Sequence, residues 1–278
     1  MTTLADTRAT TTQTKSAAPY RLTFAHVIRS EWIKLRSLRS TWAMLASTLV
    51  ALTGFGAIAA AVAGGKTALG PPTAGASDPV GTVLAGANFA VVLVGVFGAV
   101  VGSREFASGL IRTTLAAVPK RLPVLWAKVI AFTLPVILIA VTGVVAAFSI
   151  GMAILASHGH PSLAWSDPGV TRAVLGTAAY IAGVGVIGLA LGVLIRATAG
   201  AIGLLVTVVL ILPTLATALL PKAWDSALKY LPTNAAAGFT SRLSSPDHPD
   251  PAIGAVVFAL WVALALAGAV LALRARDV

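Results

Sequence analysis

The sequence predicts an all-α integral membrane protein of six transmembrane helices, and three observations carry that prediction. Of 278 residues, 57% are hydrophobic and only 10% are charged, whereas an ordinary soluble domain carries about 25% charged residues. Six uncharged apolar runs each reach the ~20 residues that a helix needs to cross ~30 Å of hydrocarbon. The whole excess of basic residues falls on one side of the topology that those runs define. Because the runs are continuously apolar, without the alternation of a transmembrane strand, a β-barrel is excluded.

Residues 1–20, MTTLADTRATTTQTKSAAPY, are rich in Thr and Ala and have no apolar centre. They predict a disordered cytoplasmic tail rather than a signal peptide. Residues 21–278 make up the membrane domain. It begins with RLTFAHVIRSEWIKLRSLRS, in which helical periodicity sets Phe24, Val27, Ile28, Trp32, Leu35 and Leu38 on one arc, flanked by Arg29, Lys34 and Arg36. That is the pattern of an amphipathic helix lying in the membrane interface, its basic side chains near lipid phosphates. Glu31 falls inside the apolar arc, where it either pairs with Lys34 one turn on or faces a cytoplasmic protein partner.

The predicted spans are 42–63, 80–102, 129–156, 173–195, 197–220 and 252–273. Pro135 in the third and Pro213 in the fifth each remove a helical hydrogen bond and offer a kink. The two termini and the second and fourth connections together hold fifteen Lys and Arg against Asp6, Glu31, Glu105 and Asp277, while the opposite side holds five against five. The basic side is therefore expected in the cytoplasm, with both termini, in a cell (plasma) membrane protein. Anionic lipid and topology account for the net charge of +11, so no nucleic-acid partner is implied.

Three lookalike motifs carry no chemistry. GGKT at Gly64–Thr67 lacks the first glycine of a phosphate loop, since position 60 is Ala60, and ALGPPTAGASDP after it cannot open a helix. GVGVIG at Gly183–Gly188 matches a dinucleotide fingerprint but lies inside a span; with Gly192, and with Gly98 and Gly102 in the second span, it reads as close helix packing. His158 and His160 read as solvated loop imidazoles rather than metal ligands. The chain has no cysteine, hence no disulfide framework and no thiolate ligand or nucleophile.

No Asp, Glu, Lys, Arg or His lies within the six predicted spans. A proton relay or ion-driven transporter lacks its usual carriers, although broken-helix carbonyls remain available for Na⁺. Intramembrane hydrolysis lacks its aspartate pair, its HExxH and its serine setting. Energy for transport would then have to arrive through a cytoplasmic connection. The best suited is GSREFASGLIRTTLAAVPKR, residues 102–121. Read as a helix, it sets Glu105 beside Arg112 on a polar side, uses Gly109 for close backbone approach and offers Ile111, Leu115 and Val118 to a partner's cleft. Pro119 ends it, and Lys120, Arg121 and Lys128 hold the return at the membrane surface.

SEWIKLRSLRSTW before the first span, paired with REFASGLIRTTLAAVPKR after the second, resembles the type-2 permease subunits of ATP-binding-cassette (ABC) transporters. The pattern E-x-x-x-G, a short hydrophobic stretch and a P-x-R-like ending fall here on Glu105, Gly109, Leu110, Ile111, Pro119 and Arg121, with Ser108 and Arg112 inside the same stretch. The resemblance covers most of residues 22–278. It implies a non-catalytic permease that pairs with a second permease copy as homodimer or heterodimer and works with two copies of a separate ATPase subunit. ATP and Mg would be bound by that ATPase, and this chain would hold no cofactor. Residues 102–121 would be the coupling helix, and the helix bearing Glu31, Trp32, Lys34, Leu35 and Arg36 the elbow that braces it. PKAWDSALKYLPTNAAAGFTSRL would be an external helical element before the sixth span, with Trp224 and Leu228 on one face and Pro232 breaking it. Small residues of the second and fifth spans are candidates for a dimer interface, although the sequence assigns no faces. The resemblance implies export, and uncharged spans favour a hydrophobic or amphipathic cargo. The alternatives are an ion-coupled secondary transporter and a non-transporting scaffold or immunity subunit.

Overall fold

The computed structural model describes residues 23–65, 78–107, 109, 121–243, 245 and 248–275. Among the described residues there are helices and no strands. Six helices are long and apolar enough to cross a membrane, which is compatible with a multi-pass membrane protein. They are Arg39–Ala63 (span 1), Ala87–Ala107 (span 2), Leu122–Ser157 (span 3), Val170–Ile195 (span 4), Thr198–Leu219 (span 5) and Pro251–Ala275 (span 6). A helix at Phe24–Arg36 precedes them, and short helices at Pro79–Val83, Asp225–Leu228 and Pro232–Thr240 lie between them.

Span 4 is the centre: 72% of its apolar window is buried, against 17% for span 5 and 22% for span 6. Its partner is span 2, and glycine sets how closely they meet. A Cβ added at Gly98 would sit 2.0 Å from the carbonyl oxygen of Gly185, and one at Gly188 would sit 2.1 Å from that of Gly95. Only residues without a side chain let the two backbones touch, so dispersion contacts accumulate along the whole seam. GVGVIG therefore serves packing on three sides: Gly183 meets Phe258 of span 6, Gly185 meets Val94 and Phe132 of spans 2 and 3, and Gly188 meets Gly95. Gly95, Gly98 and Gly102 of span 2 are thus spent on contacts within the chain rather than on an outer face.

Span 2 differs from its predicted bounds at both ends. Val80–Val83 belong to a separate short helix wedged between spans 1 and 3, with Val80 and Val83 buried. The chain then turns at Gly86, where a Cβ would lie 2.4 Å from the carbonyl oxygen of Ala51. At the other end the helix runs on through Arg104 and Glu105 to Ala107, because Glu105 finds partners inside the bundle.

The two prolines behave differently. Span 3 stays helical through Pro135. Span 5 contains a π-helical turn at Thr207–Ile211 just before Pro213. Proline has no N–H to give the carbonyl four residues back, that of Val209. The hydroxyl of Thr233 donates to that carbonyl at 2.6 Å instead, a side-chain repair of the kind that makes proline tolerable in apolar surroundings. Thr233 sits near the start of Pro232–Thr240, so Pro232 opens a helix rather than breaking the preceding one, which already ends at Leu228. Trp224 is exposed and Leu228 buried, so the two do not share an environment.

Spans 4 and 5 are joined by Arg196 and Ala197. Arg196, with φ 61°, is the one described non-glycine residue in the left-handed region, a conformation that costs an ordinary residue about 1–2 kcal/mol.

Candidate functional site

Arg39, Arg104, Lys128, Arg196 and Arg274 mark one end of the spans as the basic end. The helix Phe24–Arg36 lies there, and its contact with the bundle follows from spacing. Val27, Glu31 and Leu35, each four residues on, form one stripe and are all buried. Val27 packs with Val124 and Ala127 at the start of span 3. One turn beyond Val27 stands Glu31, and one turn beyond Val124 stands Lys128. Helical register thus places a carboxylate and an ammonium opposite each other, and they meet at 2.8 Å. Phe24, Trp32 and Ile33 face outward, so the apolar arc is divided between the bundle and its surroundings.

Two further charges close a ring. Lys34 donates to Glu31 at 2.5 Å and to Glu105 at 2.9 Å, and Lys128 donates to Glu105 at 2.9 Å. The order round the ring is Glu31, Lys34, Glu105, Lys128. Both lysines converge on Oε1 of Glu105, while its Oε2 is buried without a hydrogen-bond partner among the described residues. Glu31 and Glu105 are the only two glutamates in the sequence. The ring runs from the surface inward, since the side chain of Lys34 is 43% exposed and that of Glu31 only 2%.

Charges this far from water are costly unless paired, and removing one partner of a buried pair costs about 3–5 kcal/mol. With two carboxylates and two ammoniums the ring is neutral, which is the condition for its burial. Partial burial pulls Lys34 toward the neutral amine, but its hydrogen bonds to Glu31 and Glu105 and their negative charges outweigh that, and its pKa is raised above the ordinary 10.5. Lys34 therefore stays charged at neutral pH. Its chemistry is mechanical: every acid is matched by a base already committed to it.

What the ring joins is specific. Glu105 lies in the last full turn of span 2 and Lys128 in the second turn of span 3, so residues 108–120 are flanked by both. The remaining two groups belong to Phe24–Arg36. Both roots of the connection are thereby fastened to the amphipathic helix.

Several expectations change. Glu105, expected on a polar side beside Arg112, is 7% exposed and turned into the bundle toward Lys34 and Lys128. Glu31 pairs with Lys34 and with Lys128, and at 2% exposure is not available to an outside partner. Lys128 is buried in the ring, against both glutamates. The span helices run past the predicted bounds of 80–102 and 129–156, and the added turns carry Glu105 and Lys128. Gly109 is exposed with φ 72° and open space at its Cβ position. Ser108, Leu110, Ile111, Arg112 and Pro119 lie outside the described residues; Arg121 begins the third long helix. Trp32 is exposed, Leu35 is buried, and the carbonyl of Arg36 accepts the indole N–H of Trp42 at 3.0 Å, fixing the turn into span 1.

No protein-family model matches this chain, and no curated protein matches its sequence.

Proposed function

We propose that this chain is the membrane-spanning, non-catalytic subunit of an ATP-driven exporter of the ABC type-2 class. It works as a dimer with two copies of a separate ATPase, and its basic end faces the cytoplasm. One observation carries the reading: the buried ring fastens both roots of residues 108–120 to the amphipathic helix. Spans 2 and 3, fastened in this way at their ends, move together with the helix beside them, which is what a push arriving from outside the membrane requires. Residues 102–121 supply the docking segment, with Gly109 as its point of backbone freedom. The Phe24–Arg36 helix lies along the interface as the brace, its Trp32 and Ile33 toward lipid. The Pro232–Thr240 helix and the segment before it cap the opposite, external side.

An apolar or amphipathic cargo suits the lining available. A groove of about 540 Å³ between spans 1 and 2 is bounded by Val50, Phe55, Phe89 and Leu93, with Ser47 its polar member. For the ion-coupled alternative, the one carboxylate in the six span helices is Glu105, which sits at the end of its span and is held by two lysines.

The test is capture of an ATPase encoded beside this chain, followed by turnover and flux in vesicles. The unsubstituted protein is expected to bind it and stimulate ATP hydrolysis. Gly109→Trp strains the left-handed backbone at φ 72° but lies outside the packed spans, so it should insert normally yet lose at least tenfold in stimulation; Glu105→Ala should lose it as well. Normal export by both variants, or flux in ATP-depleted vesicles under an ion gradient, would overturn the assignment.

A further inference from the structure

The last turn of span 2 has a second set of contacts on the side away from the ion ring. The guanidinium of Arg196 lies over the ring of Phe106, 5.0 Å from its centroid, a separation at which a cation is attracted to an aromatic face. The same guanidinium donates to the carbonyl of Ala272 in span 6 at 3.3 Å. Beside it, the hydroxyls of Ser103 in span 2 and Thr198 in the first turn of span 5 are 2.8 Å apart. Thus Glu105 reaches the amphipathic helix and span 3, while its neighbours Ser103 and Phe106 reach Thr198 and Arg196, and through Arg196 the end of span 6.

The backbone makes the choice of arginine informative. Arg196 follows the last residue of span 4 at φ 61°, the position where helices ordinarily place glycine. Favourable interaction of a cation with the helix C-terminus would be met equally by lysine. What lysine cannot do is lay a planar group on Phe106 while directing an N–H to Ala272.

We propose that Arg196 is a positioning residue that transmits displacement of the last turn of span 2 to the end of span 6, in parallel with the ion ring. The proposal rests on the ATP-driven reading for the source of the displacement, but the link itself is a property of the resting protein. Two predictions separate it from a purely structural cap. Arg196→Gly suits the backbone better than arginine, so the fold should survive while the link is lost. Arg196→Lys keeps the charge and loses the planar contact, and should behave like Arg196→Gly rather than like the unsubstituted protein.

The chain has no cysteine, so Ala107→Cys and Ala275→Cys, both at exposed positions, can carry a pair of spin labels in lipid nanodiscs. In the resting protein the distance between them should have a narrow distribution. Arg196→Gly, Arg196→Lys and Phe106→Leu should each broaden it, and Arg196→Gly with Phe106→Leu no more than either alone. With the partner ATPase bound, the same variants should move about threefold less substrate per ATP, the scale of one cation–aromatic contact. Distributions as narrow as that of the unsubstituted protein in Arg196→Gly and Phe106→Leu would overturn the proposal, as would full rescue by Arg196→Lys. Broadening without any ATPase response in the unsubstituted protein would support the link and reject the ATP-driven reading.

Discussion

Span 2 is held by two different adhesives about 10 Å apart along one helix. At Gly98 it touches span 4 backbone to backbone, with no charge and no room for a methyl group. At Glu105 it is held by two ammonium groups, at 2.9 Å from each. The first contact is built of many weak attractions that depend on shape and not on protonation or salt. The second is built of a few strong ones that depend on charge and can exchange partners in discrete steps. A helix fastened this way cannot slide at its middle without steric collision, whereas its end can change partners once a lysine or carboxylate is drawn away.

The largest expected effect comes from the seam. Gly98→Leu would drive a branched side chain into the carbonyl of Gly185, and no rotamer avoids backbone atoms at 2.0 Å. The cost should exceed about 4 kcal/mol, seen as loss of folded protein on extraction into detergent. Gly203→Leu in span 5 is the control, since nothing lies within 4 Å of its Cβ position; its unfolding midpoint should stay close to that of the unsubstituted protein. Equal damage from both would mean that the seam is not what sets the centre of the bundle.

At the ring, Lys128→Met leaves Glu31 and Glu105 facing each other with one shared cation. A loss of about 3–5 kcal/mol is expected in chemical denaturation. Lys34→Met removes the same charge from the exposed side of the ring, where water can replace it, and should cost about 1 kcal/mol or less. Similar costs for the two lysines would show that the ring is solvated throughout and that burial does not distinguish it from a surface cluster.

How much of this was legible follows from the same contrast. Spans 4 and 5 have mean hydropathies of 2.3 and 2.4, yet their windows are 72% and 17% buried. Hydropathy reports solubility in lipid, and a helix core is equally apolar whether its neighbour is protein or acyl chain, so the spans were readable and their order from centre to edge was not. Glycine spacing carried part of that order, because Gly98–Gly102 and Gly188–Gly192 mark surfaces of close approach. For the ring, Glu31 with Lys34 was visible at three residues' separation. Lys128 lies 97 residues from Glu31, and Lys34 lies 71 from Glu105. No local period connects such positions. The signal that was present, two glutamates in the whole chain with one inside an apolar arc, becomes informative only when the helix is set against Val124 and Ala127.

The smallest effect, and the one that isolates the charged contact from the seam, is alkaline. Lys34 binds its proton more tightly in the folded protein than its ordinary 10.5. Below pH 10.5 both folded and unfolded chains hold that proton and the stabilisation is complete. As pH rises further the unfolded chain gives it up first, so stability falls until the folded group has also titrated. The unfolding midpoint of the unsubstituted protein should therefore decline through this range more steeply than that of Lys34→Met. Lysines and tyrosines remote from the ring contribute alike to both curves, while the glycine seam, having nothing to titrate, contributes to neither slope. Parallel curves would place the Lys34 proton outside the ring's energetics and leave Lys128 as the cation that holds the two glutamates together.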